Sequence, residues 1–141
     1  MPIIKLNYTD AGRSTSKRPK QNNDCTVVCF AVLFNLPYDE AFDILNKQGR
    51  QNNKGFHFDK LERVFPSLLA PEPYLSKTFI TVTDAVNYSE QHNLDLAVII
   101  YGHIFAVTKG IVHDHSLKPS ATVCKAYRKI GELDGFDKLF A

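Results

Sequence analysis

The chain has no tryptophan, a single methionine and three cysteines in 141 residues. Three is an odd number and few for this length, which favours reduced thiols in a cytosol over a disulfide framework. The most apolar stretch, LAVIIY at 96–101, is far shorter than the roughly 20 residues that span a bilayer. The start, MPIIKLNYTD, has neither a basic flank nor a long apolar run, so we expect no signal peptide and a cytoplasmic location.

Charge is also nearly balanced, with a formal net charge of +2 that indicates neither nucleic-acid nor membrane binding. The apolar share of 44% and the charged share of 23% are typical of a globular protein. Ten phenylalanines predict a core built around this residue. No repeat is visible, and the length suits one domain over 1–141.

The segment 10–23 is rich in Gly, Pro, Ser and Asn, as loops are. Its four cations are Arg13, Lys17, Arg18 and Lys20. A phosphate-binding arm is one interpretation. Because no aromatic residues interleave with the cations, a solvated, flexible loop is favoured, and nucleic acid is not an expected partner.

Helices are predicted in the first half. From Cys25 to Leu36, apolar residues recur at spacings of three and four and fill most of the remaining positions, which indicates a central helix. Asn23 or Asp24 is its expected cap, and Pro37 its end. A second helix is predicted over 37–49, stopped by a glycine, and a short third over 58–69.

The second half is rich in strands. A helix is predicted over 83–93 with Thr83 as its cap, and strands over 77–82, 94–101, 103–109, 111–115 and 122–130, with a short edge strand at 3–8. Helices first and an antiparallel sheet after them indicate an α+β fold.

Cys25 is the residue that raises a functional question. It stands where a helix begins, and unpaired N–H groups and partial positive charge at a helix start lower the pKa of a thiol. A free cysteine is more often a small buried residue, and Asp24 beside it raises the thiol pKa unless its carboxylate is occupied. Cys29, one turn further, and Cys124, in a late strand, are predicted to be core residues.

A base for this thiol is suggested by the hairpin YGHIFAVTKGIVHDH. A turn at Lys109–Gly110 places His103 and Asp114 diagonally on one face of the sheet, and a turn at 108–109 places them opposite each other. A three-residue loop, 108–110, brings His115 beside His103 instead. Two of three registers therefore predict a His–carboxylate pair that can act on a thiol.

Two further kinds of site are suggested by the residue types. The amides of Gln21, Asn22 and Asn23 lie close in sequence to the Cys25 N–H and are candidate oxyanion donors. A zinc site of Cys25 and Cys29 with His113 and His115 does not follow a standard spacing, so no metal and no cofactor is expected. His57 and His92 have no assigned role.

The stretch NDCTVVCFAVLFNLPYDEAFDILNKQGRQNNKG (23–55), followed by GHIFAV and IVHD, resembles small papain-like proteins of bacteriophages and related bacterial proteins. More widely it is similar to papain-like cysteine peptidases, including the bacteriocin-processing peptidase domains, over roughly residues 20–115. The resemblance implies a nucleophile at Cys25, a base at His103 and an orienting Asp114. Pro19 stands where that superfamily usually has its oxyanion glutamine, which leaves Gln21 as the nearest substitute.

The resulting expectation is a papain-like thiol hydrolase, phage-encoded and active in the host cytoplasm, that cleaves an amide, peptide or isopeptide bond of a peptide or protein substrate. Acyl transfer to an amine instead of water is a closely related reaction and stays open as an outcome. The alternative is a catalytically weak or inactive module of the same fold that binds and modulates a host protein. The sequence holds no indication of oligomeric state.

Overall fold

The computed structural model describes residues 4–56, 60, 63, 66–76 and 79–133. Within these residues, the α-helices with defined bounds are α1 (Cys25–Leu33), α2 (Tyr38–Lys47) and α3 (Val82–His92). Short 3₁₀ turns cover Arg13–Thr15 and Pro73–Ser76. The strands are β1 (Lys5–Tyr8), β2 (Leu69–Pro71), β3 (Asp95–Ile100), β4 (His103–Thr108), β5 (Ile111–Asp114) and β6 (Val123–Lys129).

The strands form one six-stranded sheet in the order β1-β5-β4-β3-β6-β2. The α+β class is therefore confirmed, but the expected purely antiparallel sheet from the second half is wrong. β1 comes from the start of the chain and pairs in parallel with β5, while the other pairs are antiparallel. The β4–β5 hairpin leaves backbone groups unpaired along the outer side of β5, and β1 satisfies them.

Helices cover both faces of this sheet. Ala97, Ile104 and Ala106 pack in one apolar cluster with α1 and α2. Their neighbours in sequence, such as Val98 and Phe105, belong to a second cluster with α3. Because successive side chains of a strand point to opposite faces, α1 and α2 lie on one side of the sheet and α3 on the other.

The two N-terminal helices follow the predicted pattern with one shortened end. α1 buries residues around most of its circumference, as expected for a central helix, but it ends at Leu33 rather than near Pro37. Lys129 of β6 donates a 2.7 Å hydrogen bond to the Leu33 carbonyl, a favourable place for a cation. α2 buries Ala41, Ile44 and Leu45 and is followed by Gly49 at φ 107°.

The predicted strand over 77–82 is wrong where the structure describes it. Residues 77–78 lie outside the described part, Thr81 makes a single isolated bridge, and Val82 already belongs to α3. The cap of α3 is Thr81, not Thr83, because Thr81 and Asp84 form a reciprocal capping box. Half of the predicted helix 58–69 also lies outside the described residues. Lys60 and Arg63 are helical, 66–68 form a turn, and Leu69, the last residue of the prediction, begins β2.

Candidate active site

Cys25 is the first residue of α1 and is partly exposed. Asp24 precedes it as the N-cap residue, yet its side chain makes no capping hydrogen bond. The first N–H groups of a helix have no partner within the helix, so they present partial positive charge around the thiol. This position favours a thiolate and leaves backbone donors for a negatively charged oxygen.

The carboxylate of Asp24 is occupied by other partners. Arg13 Nη1 lies 3.1 Å from Oδ1 and 3.0 Å from Oδ2, and the Tyr38 hydroxyl donates a 2.8 Å hydrogen bond to Oδ2. Asp24 is buried, so these contacts compensate its charge where water does not reach it. The carboxylate beside Cys25 is therefore neutralised by Arg13 and not directed at the thiol.

The β4–β5 hairpin brings the base and its orienting acid together. Thr108 pairs with Ile111 and Val107 with Val112, so Lys109 and Gly110 form the two-residue loop that was predicted. Both loop residues have positive φ, 48° and 85°, as a type I′ turn requires. In this register His103 Nε2 lies 2.8 Å from Asp114 Oδ2, which confirms the predicted His–carboxylate contact.

The hydrogen bond to Asp114 determines the role of each ring nitrogen of His103. A carboxylate only accepts hydrogen bonds, so Nε2 of His103 holds a hydrogen and donates it. Nδ1 is then the nitrogen left for the hydrogen bond between the His103 and Cys25 side chains. Asp114 is itself held by the backbone N–H of His115, which donates to Oδ1 at 2.8 Å.

The electrostatics of the pair favour charge separation. Burial raises the pKa of the Cys25 thiol, but the His103 side chain and hydrogen bonds from the Ile104 and Thr26 backbone lower it, and the net pKa lies below its ordinary value. Hydrogen bonds to Asp114 and to Cys25 outweigh burial and raise the pKa of His103 to about 9. Together the shifts favour a thiolate–imidazolium pair at neutral pH.

Two cavities meet at Cys25 and His103. The polar cavity has a volume of about 350 Å³, and its further lining includes Tyr8, Thr9, Asp10, Arg13, Asp24, Asp114 and His115. The apolar cavity has a volume of about 380 Å³ and is completed by Thr26, Gly55, Phe56, Ile99, Ile100, Gly102 and Ile104. A substrate chain that passes over the Cys25 sulfur therefore has a cavity on each side of that sulfur.

The candidate oxyanion amides lie elsewhere in the described structure. Gln21 Oε1 accepts a 2.9 Å hydrogen bond from Asn53 N, and the Asn22 N–H donates to the Asn53 side chain. Asn23 Nδ2 donates to the Asn53 carbonyl at 3.0 Å. None of the three amides lines either cavity, so their predicted role stays a prediction. The backbone donors that interact with the sulfur are those of Ile104 and Thr26.

The other cysteines behave differently from each other. Cys29 is 1% exposed, as predicted, and burial raises its pKa well above the ordinary value. Cys124 was expected in the core, and that expectation is wrong, because it is exposed. It lies on the part of β6 next to a register irregularity at Ile99/Ile100, where alternation of buried and exposed residues is interrupted.

The remaining histidines and the basic loop have local partners. His113 hydrogen-bonds to Thr108 and Asn7, while His115 lies beside Asp114. His57 lies outside the described residues.

The two arginines of the 10–23 loop have carboxylate partners. Arg18 pairs with Asp39 and Asp43, and Arg13 pairs with Asp24, so these two arginines are held by ion pairs.

The Arg13–Asp24–Tyr38 contacts were not predicted, because residues 11 and 14 positions apart leave no periodic signal in the sequence.

Comparison with known proteins produced no match among protein-family models, curated proteins or solved structures. In the part of the chain that the structure describes, no single helix has the length and hydropathy to cross a membrane; α1 and α2 reach them only together, with a 114° bend between them.

Proposed function

We propose that the chain is a thiol hydrolase that cleaves an amide, peptide or isopeptide bond through an acyl-enzyme on Cys25. The observation that carries the proposal is the convergence of a helix-start thiol, an imidazole and a buried carboxylate from three separate elements. The same arrangement supports a papain-like assignment of the fold, with α1 carrying the nucleophile and the sheet carrying the base.

In the proposed reaction the Cys25 thiolate attacks the substrate carbonyl carbon, and the Cys25 N–H receives the developing oxyanion. The carbon–nitrogen bond then breaks, and His103 donates the proton from Nδ1 to the leaving amine. Water attacks the thioester while Nδ1 takes its proton, and the carboxylic acid leaves. Asp114 keeps the imidazole oriented throughout, through the Nε2 hydrogen bond. An amine in place of water gives acyl transfer instead.

The nature of the cavities supports an extended peptide or protein substrate. The apolar cavity suits a hydrophobic side chain on one side of the scissile bond, and the polar cavity contains charged groups for the other side. Gly55 and Gly102 leave open space where a side chain would narrow the apolar cavity. No cofactor takes part in this reaction, and nucleic acid is not its substrate.

A reactive ester tests acyl-enzyme formation without knowledge of the natural substrate. With p-nitrophenyl acetate we expect a burst of p-nitrophenolate near one equivalent and an acetyl group mapped by mass spectrometry to Cys25. Cys25→Ser and His103→Ala should each lose the burst, while Cys124→Ser, which removes an exposed thiol, should keep it. Acetylation shared with Cys124, or unaffected by His103→Ala, would contradict the proposal.

The second candidate is a binding module of the same fold that modulates a host protein. It is favoured by the side-chain amides of Gln21 and Asn23, which bind the 51–54 loop, and by that of Asn22, which accepts from Asn23. None of the three lines either cavity. Loss of one oxyanion donor costs on the order of 100-fold or more in rate. A folded chain whose Cys25 shows no burst with the ester would favour this candidate.

A further inference from the structure

The carboxylate of Asp114 lies between two imidazoles. Its Oδ2 is 2.8 Å from His103 Nε2, and its Oδ1 is 3.0 Å from His115 Nδ1. One ligand atom from each of the three side chains lies within 4.8 Å of the others. Asp114 is nearly buried, with 8% of its side chain exposed, whereas His115 is 66% exposed. A buried acid and a mostly buried ring therefore face a third group that is exposed and able to rotate.

Two imidazole nitrogens and one carboxylate oxygen are a donor set that suits Zn²⁺. A tetrahedral ion about 2.0–2.1 Å from each donor separates those donors by about 3.4 Å. The present separations of 2.8 and 3.0 Å are shorter, so both imidazoles move away from the carboxylate on binding: His115 by rotation of its exposed ring, and His103 by a shift of about 0.6 Å. All three residues line the polar cavity, which leaves space for a fourth ligand such as water.

We propose that His103, Asp114 and His115 form a Zn²⁺ site, and that zinc bound there arrests the thiol chemistry of Cys25. The arrest rests on the proposed function, but the binding site does not. It differs from the Cys25–Cys29 zinc site considered in the sequence, because neither cysteine is a ligand.

The arrest follows from the two nitrogens of His103. Zinc binds the lone pair of Nε2, so the proton on that nitrogen is released to solvent and the hydrogen bond to Asp114 is lost. The ring's remaining proton then stays on Nδ1, the nitrogen that interacts with Cys25. A metal-bound imidazole in this state accepts no further proton, so it takes none from the water that attacks the thioester, and the acyl group stays on Cys25.

Binding is measured on the full chain after removal of metals with a chelator and dialysis. Calorimetric titration with ZnCl₂ should show one ion per chain, and Co²⁺ should give the visible absorption of a four-coordinate site. His115→Ala should weaken binding by about tenfold or more, since loss of even an outer partner of a ligand costs 10–100-fold. His92→Ala, on the exposed side of α3, is the matched control and should bind like the wild type.

The position of the ion is decided by a third variant. Cys25→Ser should retain the wild-type affinity, because the sulfur is not a ligand. If Cys25→Ser abolishes binding while His115→Ala does not, the ion sits on the thiol and the proposed site is wrong. Equal binding by wild type and His115→Ala overturns it as well.

The arrest is measured by the turnover of p-nitrophenyl acetate that follows the burst. Saturating zinc should slow this turnover in the wild type and leave His115→Ala much less inhibited at the same zinc concentration. If zinc binds as described but no burst is seen even without metal, the site stands and the proposed hydrolase fails. If the burst occurs and zinc at saturation does not slow the turnover, the arrest is wrong and the hydrolase is unaffected.

Discussion

The hydroxyl of Tyr38 donates a 2.8 Å hydrogen bond to the carboxylate of Asp24, the residue that directly precedes Cys25. Tyr38 begins α2 and is 2% exposed, so this contact ties the start of one helix to the start of the other inside the core. Burial and the neighbouring carboxylate raise the pKa of the Tyr38 phenol, which keeps it a donor at physiological pH. The hydrogen bond from Tyr38 therefore holds the N-terminal end of α1 in place inside the core.

Tyr38→Phe should lower the free energy of unfolding by about 1.5–3 kcal/mol, because it removes a buried hydrogen bond to a charged acceptor. Urea unfolding followed by circular dichroism measures the change. Tyr101→Phe is the control, since Tyr101 is 97% exposed and its change should stay within about 0.5 kcal/mol. Equal stabilities of the two variants would show that the Tyr38 contact contributes nothing.

Arg13→Gln should raise the pKa of the Cys25 thiol, because it leaves the Asp24 carboxylate without its cation next to the sulfur. Slower alkylation of Cys25 at pH 7, resolved by peptide mapping, is the expected result. Arg18→Gln is a matched control in the same loop, where the arginine pairs with Asp39 and Asp43. If both variants alkylate alike, Arg13 has no part in the thiol's environment.

Asp114→Asn should lower the pKa of His103 from about 9, since the hydrogen bond to Asp114 is the largest contribution that raises it. NMR titration of the ring carbons measures this directly. Asp43→Asn, at a carboxylate 58% exposed, should leave the His103 titration unchanged. An unaltered titration in Asp114→Asn would mean that the carboxylate does not hold the imidazolium.

The raised pKa of His103 also has a consequence for stability. A histidine whose folded pKa is about 9 stabilises the fold fully below its unfolded pKa of about 6.5, and that contribution is lost as pH rises through 9. The test uses a Cys25→Ser background, where the thiol neither titrates nor raises the pKa of His103. There the loss of stability caused by Asp114→Asn should shrink as pH rises from about 6.5 towards 9. Denaturant unfolding at several pH values measures it, and a loss that grows over this range would contradict the assignment.

Gly102→Ala should destabilise the turn between β3 and β4 by about 1–2 kcal/mol, because Gly102 has φ +71°, a conformation that costs L-residues about this much. Gly55→Ala is the matched control in the same cavity, with no positive φ and open space around the added carbon. Thermal or urea unfolding compares them. Equal stabilities would show that the Tyr101–Gly102 turn tolerates a side chain and imposes no glycine requirement.

The parts of this site that follow local rules were predictable from the sequence. Lys109–Gly110 specifies a two-residue turn, and the alternation of strands then places His103 and Asp114 on one face. The apolar run after Cys25 specifies a central helix.

The features that the sequence did not predict depend on contacts between distant segments. The parallel pairing of β1 with β5, the exposure of Cys124 and the binding of Gln21 to Asn53 are set by tertiary packing that no local period reports. The capping box of α3 is the exception, because Thr81 and Asp84 at a spacing of three were a readable signal.

The central claim is that Cys25 is a thiolate paired with the His103 imidazolium at neutral pH, and its most direct test is the pH profile of Cys25 alkylation. In a Cys124→Ser background the rate should rise with an apparent pKa below the ordinary value of a thiol. His103→Ala should move that pKa upward and slow alkylation at pH 7 by about tenfold or more, since one pKa unit is a factor of ten in thiolate. Identical profiles in the presence and absence of the imidazole would contradict the account.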